Sequence, residues 1–177
     1  MINQLIIKGF KSFVDKSINF NQLNVLTGLN SSGKSTVIQA LQILNKYSRH
    51  FENPLIEGHG DYKELQNPFS SLPFSINAKY GEHGIICYSP QKENNIHTEE
   101  FPDLIVISAD RYGPLVSIPL LSDCELGSRG ENVIKCIRVH ENDILDKLIT
   151  HPNSEGDTFL YNLRAWLGTI TPGVQFN

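Results

Sequence analysis

The sequence predicts an α/β fold with an antiparallel β portion, and three observations predict it. First, an apolar run at residues 23–27 leads directly into a glycine-rich loop, and a helix-period stretch from Thr36 to Tyr47 follows. Second, residues 74–80 alternate apolar and polar, and residues 84–88 resume the β pattern after Gly81, which reads as an antiparallel hairpin. Third, Leu104, Ile105, Val106 and Ile107 form a continuous apolar run, the mark of a strand buried on both faces.

The elements follow in order. Leu5, Ile6 and Ile7 read as a short strand, residues 8–13 as a turn with two aromatics, and residues 17–20 as a half-buried strand. The run at 23–27 is then the third strand. Val37, Ala40, Leu41, Leu44 and Tyr47 keep helical spacing, and Ile38 and Ile43 widen the stripe, as suits a helix packed on a sheet. Residues 54–73 are loop-rich, punctuated by Gly58, Gly60, Pro68 and Pro73. Residues 89–102 are polar and read as exposed. Helices are expected over 131–139, 143–150 and 160–167. The chain is read as one domain over residues 1–177. Residues 1–50 hold the first hairpin, the loop strand and its helix. Residues 51–102 hold a loop-rich region and a hairpin, and 103–177 a buried strand and helices.

Composition bounds the class. The 177 residues are 40% hydrophobic and 19% charged, enough for a domain with a real core. The net charge of −4 argues against a basic nucleic-acid clamp over the whole chain, although Lys8, Lys11 and Lys16 make a small basic edge. Cys87, Cys124 and Cys136 are odd in number, widely spaced and without a CxxC, which argues against a disulfide framework or a zinc site and for reduced thiols. The N-terminus is too interrupted for a signal peptide, and no apolar run reaches the roughly 18 residues of a membrane span. The reading is a soluble, cytoplasmic protein with no membrane partner.

The loop carries the chemistry. Gly28, Gly33, Lys34 and Ser35 fit the Walker A pattern G-x-x-x-x-G-K-[ST] at every constrained position. Glycines let the backbone of residues 28–33, including Asn30, Ser31 and Ser32, approach phosphate oxygens and turn N–H groups toward them. The helix start near Gly33 adds unpaired N–H groups, Thr36 included, and the positive end of its dipole. Lys34 reaches the β- and γ-phosphates and is the expected catalytic residue. The Ser35 hydroxyl completes a Mg²⁺ shell. ATP and Mg²⁺ are therefore the expected ligands.

Over residues 1–45 the chain resembles the amino-terminal half of SMC/RecF-type ATPases of the ABC class. Leu5, then Gly9, Phe10, Lys11, Ser12 and Phe13, then Ile18 and Phe20, then the Walker A loop with Asn30 carry the resemblance. Later pieces are similar to a bacterial OLD-like, anti-phage subgroup: residues 60–65, 107–114, 127–131, and Trp166, Leu167, Ile170, Pro172 and Gly173. The resemblance implies a P-loop ATPase whose heads dimerise face to face around ATP. It places adenine or ribose near Lys11 and Ser12. It implies a Q-loop glutamine, for which Gln66 is a candidate, and a DNA or nuclease partner in DNA repair or phage defence.

The expected Walker B strand is incomplete. After Ile107, Asp110 comes two residues late and Arg111 stands where a catalytic Glu belongs. Arg111 either approaches a phosphate or pairs a carboxylate in a salt bridge that caps the strand. Residues 126–131 echo a signature loop only faintly and read better as a turn before a helix. The chain thus reads as the N-terminal lobe of a longer ATPase, which binds nucleotide alone without turning it over. The alternative is a non-catalytic nucleotide-sensing or dimerisation module lacking Walker B. A small-molecule kinase fits poorly, because Arg111, Arg129, Arg138 and Arg164 are dispersed rather than clustered as lid arginines.

Overall fold

A five-stranded antiparallel sheet in the order β2-β1-β3-β4-β5 dominates the first of two compact units, Met1–Leu104. The computed structural model describes residues 1–50, 53–56, 58–90, 96–109 and 126–173. The strands are β1 (Ile2–Phe10), β2 (Phe13–Asn19), β3 (Ser75–Tyr80), β4 (Gly84–Tyr88) and β5 (Ile96–His97). Helix α1 (Lys34–Ser48) lies against β3 and β4, and a single turn, α2 (Tyr62–Leu65), precedes β3.

Alternation sets the buried face. Leu5 and Ile7 of β1, Ile76, Ala78 and Tyr80 of β3, and Ile86 and Tyr88 of β4 all point into the core. The register puts Ile7 opposite Ile76 and Leu5 opposite Ala78, and then Ile76 opposite Tyr88. A one-residue slip would turn this whole set to solvent, so burial fixes the pairing. From α1, Val37, Ala40, Ile43 and Leu44 close the core at helical spacing. Phe74 sits at its centre, 5.1 Å from the ring of Phe10.

The hairpin of β3 and β4 and the helix α1 agree with the sequence reading. The first strand is longer than expected, and the turn narrows to residues 11 and 12. Two expected strands are corrected. Residues 23–27 form no ladder, and Leu23 and Val25 are 83% and 75% exposed. Residues 104–107 likewise lie outside any strand, with Ile105 77% exposed. An apolar run states a demand for burial. Among the described residues no strand lies alongside either run to meet it. The expected exposure of residues 89–102 also fails at its ends, since Ser89 and Phe101 are buried. Within that segment, residues 91–95 lie outside the described residues.

The second unit, Ile105–Asn177, contains α3 (Val133–His140) and α4 (Phe159–Ile170), close to their expected positions. The helix expected over 143–150 is absent. Asp146 instead accepts the N–H of Leu148 through its side chain, at 2.9 Å, and Ile144 bridges Thr158. A short polar side chain that bonds its own backbone competes with a helix, and here it wins. The buried Asn162 pins the loop before α4. Its carboxamide accepts from the N–H of His151 at 2.7 Å and donates to the carbonyls of Gly156 and Thr158. Trp166 is 42% exposed, with its indole N–H on the carbonyl of Ile149.

Candidate nucleotide site

The loop between β2 and α1 holds backbone shapes that demand glycine. Gly33, the N-cap of α1, has φ +98°, and a Cβ there would sit 2.5 Å from the Phe13 ring. Gly28 has φ +146°, and a Cβ would meet the Ser32 hydroxyl at 2.8 Å. Ser31 also lies in the left-handed region, at φ +64°. Successive backbone turns of this kind aim N–H groups inward to form a concave anion site.

Lys34 begins α1 and folds back over the loop. Its ammonium donates to the carbonyls of Gly28 and Leu29 at 2.9 and 2.7 Å. Gly33 offers no side-chain oxygen to the first turn of the helix, and no acidic residue lies in that turn. The first N–H groups and the positive dipole end are therefore left for an anion rather than a cap. Ser35 is exposed beside them, whereas Thr36 is buried, so Thr36 offers the site its backbone and not its side chain. Asn30, Ser31 and Ser32 are exposed along the loop.

The turn between β1 and β2 is fastened from a distance. Lys11 has φ +47°. Its N–H donates to the carbonyl of Leu65 at 2.8 Å, and its carbonyl accepts from the side chain of the buried Asn67 at 2.6 Å. The Lys11 ammonium donates to Gln39 Oε1 at 2.7 Å, and the Gln39 carboxamide meets His59 Nδ1 at 3.1 Å. Ser12, its neighbour in the turn, is exposed. Gln66 does different work. Its carboxamide donates to the carbonyl of Leu72 at 2.7 Å and accepts from the N–H of Phe74 at 2.9 Å, which fixes the approach to β3. Lys8 of the basic edge is paired with Asp15 at 3.4 Å. Asp110, Arg111 and Cys124 lie outside the described residues.

A family model described as an AAA ATPase domain matches residues 1–163. The chain belongs to that family. Membership implies a P-loop NTPase fold, ATP binding and ATP hydrolysis, with Mg²⁺ as the usual companion of the nucleotide. No curated protein matches the chain significantly. In this AAA ATPase domain the sheet and α1 hold the Walker A loop at one end of β1 and β2. Among the described residues no helix is long and apolar enough to cross a membrane.

Sequence reasoning found the loop but missed Gln39, His59 and Asn67. One signal was present for Gln39: it lies four residues after Ser35, on the same helix face. His59 and Asn67 carried no periodic or motif signal, because only the tertiary fold brings them to Lys11.

Proposed function

We propose that this AAA ATPase domain is the ATP-binding lobe of a bacterial SMC/RecF-like ATPase. In that reading, ATP binding and hydrolysis drive two heads together and gate action on nucleic acid, in DNA repair or phage defence. The observation that carries the nucleotide assignment is the Lys34 ammonium, turned into a loop shaped by Gly28 and Gly33 at an uncapped helix start.

The parts fit Mg²⁺–ATP in kind. Backbone N–H groups of residues 28–36 bind phosphate oxygens, and Lys34 exchanges its two carbonyl partners for the β- and γ-phosphates. The exposed Ser35 hydroxyl is a hard oxygen ligand at the loop, suited to Mg²⁺. The cation, when bound, offsets phosphate charge. Lys11 and Ser12 take the adenosine end. Gln66 is left out of the hydrolytic set, since both ends of its carboxamide are engaged in a turn. Arg111 remains the candidate for a charge-stabilising or pairing role.

Calorimetric titration with Mg²⁺–ATP, with turnover followed in the same samples, tests the reading. Binding is expected in the native chain, with a loss of at least tenfold in Lys34→Ala. Unchanged affinity in that variant would overturn the assignment. Binding without turnover fits the isolated lobe, whereas turnover would mean that Asp110 or another carboxylate of this chain completes the site.

A further inference from the structure

We propose that Gln39 and His59 are positioning residues that hold the Lys11 ammonium ready where the adenosine end of the anionic nucleotide meets its phosphates. The inference rests on the nucleotide reading above and deepens it. Three segments remote in sequence converge here. Lys11 comes from the first turn, Gln39 from the second turn of α1, and His59 from the loop before α2. Lys11 Nζ donates to Gln39 Oε1 at 2.7 Å, and Gln39 Nε2 lies 3.1 Å from His59 Nδ1. The ammonium can only donate, so it fixes which end of the carboxamide faces it. The Gln39 amide nitrogen must then face the imidazole, and His59 Nδ1 must accept. Each partner sets the orientation of the next.

The chemistry of the holder points to an anion. A lysine intended for structure is commonly matched by a carboxylate, which neutralises it. Here the acceptor is a neutral carboxamide, and among the described residues no carboxylate lies within ion-pair distance of Lys11. The charge is oriented but kept. The helix face is the one that carries Ser35, four residues earlier. The backbone is held as firmly as the side chain. Lys11 occupies the left-handed region, which few non-glycine residues adopt, and Leu65 and Asn67 bond its N–H and its carbonyl. A turn alone would be served as well by glycine or asparagine.

A double-mutant cycle on the full chain tests this by Mg²⁺–ATP affinity. Gln39→Leu is expected to weaken binding about tenfold when Lys11 is present, and not at all in a Lys11→Met background. Gln39→Met, a good helix former, repeats the test should the leucine variant fail to fold. His59→Phe should give a smaller loss that also vanishes without Lys11. Equal losses in both backgrounds would show a purely structural role and overturn the proposal, as would no loss in either. Lys34→Ala separates the two ideas. If it leaves affinity intact, the nucleotide reading itself fails. If it abolishes binding while Gln39→Leu is neutral, only the positioning role fails.

Discussion

Gly33 is the residue at which the loop is least replaceable. Its φ of +98° disfavours any side chain, and a methyl group would enter the Phe13 ring. Gly33→Ala is therefore expected to cost at least about 1–3 kcal/mol of stability and most of the nucleotide affinity. Phe13→Ala in the same chain should recover only the steric part, because the backbone strain remains. Urea midpoints of the two single variants and the double variant check this. Full recovery would mean that strain at Gly33 is negligible. The Walker A pattern was legible at this scale because it is local: its glycines, its lysine and the helix that follows lie within one stretch of chain. The setting of Lys11 was not. Its partner Gln39 lies 28 residues away and His59 a further 20, and no local pattern encodes such a meeting.

At the scale of elements, α1 and the sheet stand on one apolar layer. Ile76 is fully buried between β1 and β4 and under α1. Ile76→Ala should cost about 2–5 kcal/mol, read as a fall in urea midpoint at constant slope. The aromatic side of this layer adds a pH dependence. Burial, foremost, and then the Tyr62 hydroxyl 3.3 Å away raise the pKa of Tyr88 above its ordinary 10.0. Tyr47 and Tyr80 are raised for the same leading reason. The folded state thus keeps these phenols neutral while the unfolded chain ionises near pH 10.0. Their contribution is complete below that pH and is lost as pH rises beyond it. Tyr88→Phe should flatten the decline in stability between about pH 9 and 11 relative to the native chain; an identical decline would remove Tyr88 from the account.

Elements differed in how much of them the sequence exposed. Helix α1 and the β3–β4 hairpin were readable because period 3.6 and period 2 are each satisfied by one face within one element. The runs at 23–27 and 104–107 show the limit. Their composition calls for neighbours on both sides without saying which neighbours, and the strands expected there are not formed. Residues 143–150 failed for another reason: a local Asp146 bond outweighed an ordinary helical pattern.

For the molecule as a whole, the family match implies a P-loop ATPase domain, and the described residues supply its antiparallel sheet and the helix α1 after the loop. A net charge of −4 gives the chain no general attraction to nucleic acid. If two heads close around ATP, sedimentation velocity should show a heavier species with Mg²⁺–ATP that is absent in Lys34→Ala. A single sedimenting species under both conditions would count against head dimerisation. The ring of Phe13 gives the chain one more property. It lies in β2 and packs beside Gly33, so a change in the loop's shape at that glycine would alter the surroundings of the ring. The chain has one tryptophan, Trp166. With Trp166→Phe as background, Phe13→Trp would make that touching point luminous. The phosphate loop would then carry its own gauge, whose emission reports an occupied cradle without any labelled nucleotide.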